Sequence, residues 1–203
     1  MKTRIVLFSF IFAGVSFAQQ DTLEGNRRAL YECSDPIDVD SNTMVLKENK
    51  IYFQFNTEQR PTDLKAKDFY WLPDNPEGYF TAYLINTTDT TFSANRQDGS
   101  LIMIQEALDE NGKWNPIEYW VYSGCGNSYF SPLKLNAGKC VLIPIKKYTG
   151  TFKTKIRLKF KYGDHIMYSH SFDGSINQTQ FRQKDAPVFG ILYHGPASYL
   201  DND

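Results

Sequence analysis

Cysteine is scarce in this chain, with three in 203 residues. That count excludes a disulfide-stapled miniature fold, and at most one intramolecular bridge can form. Charge of one sign is lacking as well. Twenty-two cations face 23 acids, so the sequence carries no global pull toward nucleic acid or an anionic membrane. Histidine occurs three times, at His165, His170 and His194, and no Cys/His group has zinc-like spacing. No apolar run after residue 18 is long enough to cross a bilayer as a helix. Internal repeats and convincing amphipathic helices are missing too.

The one long apolar run lies at the start. "MKTRIVLFSFIFAGVSFAQQ" has Lys2 and Arg4 before an apolar stretch from Ile5 to Phe17, and the small residues Ser16 and Ala18 close it. This pattern predicts a secretory signal over 1–18, with the mature chain starting at Gln19 in a secreted or periplasmic setting. No cysteine follows the expected cleavage point, so a lipid anchor is not indicated. Loss of Lys2 and Arg4 takes 22 cations to 20 against 23 acids, a net charge of −3. The remaining length suits one domain with a sizeable core.

What is abundant is Tyr, Phe, Thr and turn-forming residues, a mixture that favours strands. Residues 19–42 are polar and predict an irregular N-terminal arm. "TMVLK" and "KIYFQFN", separated by Glu48 and Asn49, predict a first strand pair. "TEQRPTDLKAKDFYWLPDNPEGY" predicts a long aromatic loop. "YFTAYLIN", "SLIMIQEAL" with its Asn111-Gly112 turn, "CVLIPI" behind Asn136-Ala137-Gly138, and "FKTKIRLKFKY" complete the series. Strands at this spacing predict an all-β, antiparallel β-sandwich over 43–181, followed by an irregular C-terminal tail over 182–203.

Lys153, Lys155, Arg157, Lys159 and Lys161 occupy alternate positions of one predicted strand. Phe152, Thr154, Ile156, Leu158, Phe160 and Tyr162 then face the core. Neighbouring cations on one side repel by about 0.6 kcal/mol, whereas burying each large apolar partner stabilises by roughly 1.5–3 kcal/mol. The row therefore needs no function to exist, although it is also a candidate surface for an anionic glycan or another polyanion. Glu106 or Glu118 on an adjacent strand would neutralise it. For the following strand we expect a three-residue loop, Gly163 to His165. That register places Ile166, Tyr168, His170 and Phe172 with the core set and Lys155 opposite Asp173.

Cys125 and Cys140 lie 15 residues apart and are the favoured disulfide pair, worth roughly 3 kcal/mol in the chain-entropy picture. Cys33 is then the odd thiol, free or intermolecular; pairings of Cys33 with Cys125 or Cys140 stay open. "SGCGNS" resembles the glycine-flanked nucleophile of papain-like proteases. Asn127 and Ser128 stand where that family has another cysteine and an aromatic. We expect no catalytic residue, no metal site and no cofactor. Asn86-Thr87-Thr88 and Asn177-Gln178-Thr179 match the glycosylation acceptor pattern.

Two aromatic clusters are candidate ligand platforms: Tyr70, Trp71 and Tyr79, and Tyr119, Trp120 and Tyr122. "YTGTFKTKIRL", from Tyr148 to Leu158, resembles the turn into the penultimate strand of immunoglobulin-like Greek-key domains. Gly150, Phe152 and Thr154 occupy the family's glycine, aromatic and inner-face cysteine places. Phe152 lacks the hydroxyl of a tyrosine corner, and Thr154 replaces the cysteine. The resemblance implies an immunoglobulin-like sandwich and no functional residue. The expected function is that of an exported, non-catalytic binding module with a glycan or protein ligand. An extracellular hydrolase with paired carboxylates and an assembly subunit joined through Cys33 are the alternatives.

Overall fold

A computed structural model of the chain describes residues 27–60, 76–97, 99–120, 131–181, 186–188, 191–193 and 200. The expected signal segment over 1–18, Tyr70, Trp71, Tyr122, Cys125 and His194 lie outside the described residues. In chain order the strands are β1 (Arg27–Arg28), β2 (Ile37–Asp38), β3 (Ile51–Asn56), β4 (Tyr79–Asn86), β5 (Phe92–Ala94), β6 (Arg96–Gln97), β7 (Ser100–Leu101) and β8 (Met103–Leu108). There follow β9 (Trp114–Pro116), β10 (Glu118–Tyr119), β11 (Leu133–Leu135), β12 (Lys139–Lys146), β13 (Phe152–Tyr162), β14 (His165–Tyr168) and β15 (Phe172–Ile176). A short hairpin of β16 (Ala186–Val188) and β17 (Ile191–Tyr193) lies in the tail. The protein is all-β; among the described residues helix is limited to 3-10 turns at Pro76–Gly78 and Gln178–Phe181. None of the described helices is long and apolar enough to cross a membrane.

Two sheets carry the fold. The first runs β2-β12-β4-β3, and the second runs β14-β13-β8-β9, with β15 continuing the β14 edge along β13. Both are antiparallel; a parallel pair, β1 with β10, lies outside them. Phe53, Leu84, Val141, Ile143 and Ile145 of the first sheet share one core with Met103, Leu158 and Phe160 of the second. Phe53 meets Phe160 edge-on, with ring centroids 5.8 Å apart. β4 and β12 are buried on both faces, which explains why each reads as a nearly continuous apolar run. Their outer sides join Tyr52 and Met44 in a second cluster of Tyr83, Ile85, Cys140 and Leu142. Pro144 is tolerated in β12 because β2 pairs only with Lys139 and Cys140, so its missing N–H faces no described ladder partner.

Residues 43–47 do not form the expected strand. The Tyr52 hydroxyl accepts from Lys47 N at 3.2 Å and donates to Val45 O at 3.0 Å, while Gln54 Oε1 accepts from Val45 N. Side chains thus satisfy the backbone that a ladder would have paired, and β3 pairs with β4 instead. The expected irregular arm is also more integrated than its polarity implied: Ala29, Tyr31, Cys33 and Ser34 are buried.

The β13–β14 hairpin corrects the predicted loop. Tyr162 pairs with His165 across a two-residue Gly163-Asp164 turn, and Gly163 takes a φ of +56°. A two-residue hairpin turn favours glycine there. Ile166 and Tyr168 therefore face the side of Lys161 and Lys159, and Met167 pairs with Phe160. Three residues, 169–171, then oppose two, Arg157 and Leu158, a β-bulge that shifts the register by one. Ser169 holds the bulge: its amide donates to Leu158 O at 3.0 Å and its hydroxyl accepts from Leu158 N at 2.9 Å. Beyond the bulge Lys155 lies opposite Asp173 and Phe172 opposite Ile156, as the three-residue register required. His170, expected in the core, is exposed at the bulge against the ring of Phe55. Partial burial, and then the charge of Lys47, hold its pKa below the usual histidine value.

Candidate ligand-binding groove

β13 presents the expected alternation, with Ile156, Leu158 and Phe160 buried on the inner side. The cations opposite are largely committed. Arg157 donates from Nε and Nη2 to Glu106 Oε2, Lys159 Nζ lies 3.8 Å from Glu106 Oε1, and Lys155 pairs with Asp173 at 2.7 Å. Lys159 departs from the expectation of a solvated row, being 5 % exposed. Arg157 is stacked between Trp114 and Tyr168, 4.4 and 4.0 Å from the ring centroids. Lys153 is exposed, and Lys161 is half-buried.

The aromatic candidates separate. Tyr119 and Trp120 belong to the main core, so their rings are not offered to solvent. Tyr79 is half-buried at the start of β4. Cys140 carries a free, fully buried thiol among Tyr52, Tyr83 and Leu142, so the structure does not form the expected Cys125–Cys140 bridge. Burial, and secondarily Asp38, push this thiol up to about 11. Cys33 is a free thiol in the main core, which opposes its use as an intermolecular link. Asn86 is buried; its Nδ2 donates to Thr90 O and Leu135 O, both at 2.8 Å, and its Oδ1 caps Thr88. The acceptor pattern at Asn86 is therefore a folded turn with no free amide.

A concave feature of the described residues lies elsewhere, at one end of the two-sheet stack. A groove of about 1260 Å³ opens between the first sheet's Phe80, with Thr57, Glu58 and Lys147 to Thr149 just beyond the ends of β3 and β12, and the second sheet's Phe152 to Ile156 and Phe172 to Ser175. The hairpin turn at Leu108, Asp109 and Glu110 completes the rim. Phe172 bridges the sheets at the floor, 5.1 Å from Phe80 and 4.9 Å from Phe55. Phe152 is anchored by Phe181 at 5.9 Å. Thr154 and Gly174 form a cross-strand pair of small residues between these aromatic anchors. A Cβ at Gly174 would stand 2.5 Å from Ile156 Cδ1, so glycine lets Ile156 lie flat beneath the groove.

Three of the seven charged residues that line the groove are already engaged. Asp109 accepts from Lys113 N at 2.8 Å, Asn111 N at 2.9 Å and Asn115 Nδ2 at 2.7 Å. These bonds, the Lys113 amide first, hold its carboxyl below the usual range. Asp173 is paired with Lys155. Glu58, Glu110, Lys147 and Lys153 make no ion pair among the described residues, leaving two charges of each sign. No group of three His, Cys, Asp or Glu among the described residues could hold a metal ion.

Sequence reasoning missed this groove because it depends on the register of β15, which the bulge sets. The signal that could have found it is the sequence "FDGS", in which Gly174 interrupts the apolar inner face of β15 between Phe172 and Ile176. Compared with known proteins, the chain matches no family model, and neither a curated protein nor a solved structure matches it significantly.

Proposed function

We propose that this chain is an exported, non-catalytic binding module on an immunoglobulin-like β-sandwich, and that the end groove receives a glycan or a segment of another protein. The supporting observation is the groove itself, a concave surface with half-buried Phe152 and Phe172 at its base and uncommitted polar groups at its rim. Partly exposed aromatic surface in a concavity is where desolvation returns most binding energy. The basic row supports a polyanion reading less well, since Glu106 and Asp173 engage three of its five cations. A hydrolase reading would have to use Glu58 and Glu110, the two groove carboxylates with no ion pair among the described residues. Asp109 is bound into its turn and Asp173 is paired.

The test screens the mature chain, from residue 19, on a glycan array and a peptide array, beside a Thr149→Trp variant that fills the rim from an exposed loop position. Binding lost in the variant supports the groove as the site. Binding unchanged by Thr149→Trp overturns it.

A further inference from the structure

We infer that the groove takes an extended polypeptide segment as an added strand along β15, with large apolar side chains of that segment seated over Phe152 and Phe172. This inference rests on the groove being the ligand site. Its first support is the backbone. Among the described residues β15 pairs with β13 alone, so its far edge carries N–H and C=O groups with no described ladder partner. Asp173, Gly174 and Ser175 of this strand line the groove, and Asp173 and Ser175 alternate with the residues whose backbone turns to β13. A neighbouring strand must approach to about 4.8 Å. The short side chains here leave that approach open, and Asp173 is drawn aside by Lys155.

The second support is the match of surfaces. An added strand directs alternate side chains to one face, so its apolar residues would fall toward the inner side, where Phe152 and Phe172 lie. The uncommitted rim charges balance, two of each sign, which suits a near-neutral peptide and does not favour a polyanion. A sugar would need either an open aromatic face or a dense set of side-chain donors. Phe172 is instead packed edge-on by Phe55 and Phe80. The free hydrogen-bonding capacity at this wall includes the backbone of β15, which a peptide satisfies in register.

The experiment selects binders of the mature chain from a displayed library of random dodecapeptides and titrates the best one as a synthetic peptide. An oligosaccharide panel is titrated in parallel. We expect the peptide to weaken at least about tenfold against Thr149→Trp and against Ser175→Arg. N-methylation of alternate peptide residues should weaken it by at least about tenfold in one phase and little in the other, because only one set of amides faces β15. Tolerance of both methylation phases overturns the strand proposal. Groove-dependent binding of an oligosaccharide with no peptide bound overturns it too, while leaving the groove as the site. Absence of groove-dependent binding by either probe overturns both readings.

Discussion

Arg157 donates from both Nε and Nη2 to a single oxygen, Oε2 of Glu106, at 2.8 and 2.7 Å, while its guanidinium lies between Trp114 and Tyr168. The carboxylate is nearly buried and Lys159 stands on its other oxygen. This cluster makes the third cation of the row a structural element. Arg157→Ala should destabilise the fold by about 3 kcal/mol, because it removes the close partner of a buried carboxylate and empties the space between two rings. Lys153→Ala, at an exposed position, should change stability by less than about 0.5 kcal/mol. Urea titration of the two variants checks this; equal midpoints would show that the row is uniform and solvated.

The contrast between these two lysine-strand positions marks what the sequence could reveal. The alternation of β13 was legible because burying its cations unpaired is prohibitive while burying Ile156, Leu158 and Phe160 is favourable. β4, β12 and the Asn111-Gly112 turn were legible for equally local reasons. The strand at 43–47 was misread because the Tyr52 hydroxyl and the Gln54 amide, from the neighbouring strand, capture its backbone. The hairpin after Tyr162 was half legible. Pairing Lys155 with Asp173 fixed the far register, but a bulge at 169–171 restored it after a shorter turn than expected. The groove needs that register and the meeting of two sheet ends, so no local pattern announces it.

Glu118 forms the second buried polar cluster, at 2 % exposure. Its Oε1 accepts from the Tyr148 hydroxyl at 2.6 Å, and its Oε2 accepts from the Tyr31 hydroxyl and from Gln105 N at 2.8 Å. The carboxylate thereby ties the N-terminal segment to β8 and to the loop behind β12. Tyr31→Phe and Tyr148→Phe should each cost about 1.5–3 kcal/mol, the range for hydrogen bonds to a charged group. Their double variant should differ from the sum by more than about 0.5 kcal/mol, since both phenols share one acceptor. Chemical denaturation of the cycle checks this, and strict additivity would refute a shared network.

Gly150 is set by space. A Cβ there would lie 2.1 Å from the carbonyl carbon of Ile176 and 2.4 Å from Asn177 N, both backbone atoms. No rotamer change can relieve that contact, so β15 or the loop must move. Gly150→Ala should cost about 2–4 kcal/mol as overpacking against backbone. Gly78→Ala, with nothing within 4 Å of the added carbon, should lie within about 0.5 kcal/mol of the parent. Thermal denaturation separates the pair, and matching midpoints would mean that Ile176 yields freely.

Cys33 and Cys140 should be silent thiols. Burial raises the pKa of both, Cys140 to about 11, so at pH 8 only about one part in a thousand of Cys140 is thiolate. In a Cys125→Ser background, a thiol reagent at pH 8 should react with neither cysteine in the native chain and with both after denaturation. The same shift has a sign for stability. Folding holds the Cys140 proton more tightly than the ordinary value of 9.0 implies, so its contribution is present below that value. Above it the unfolded chain binds fewer protons than the native one, and the contribution is lost as the pH rises toward 11. Cys140→Ala should lower stability at pH 7 by opening a small cavity, yet flatten its decline between pH 9 and 11. Rapid labelling of the native chain, or a decline as steep in the variant as in the parent, would show that the thiol reaches solvent.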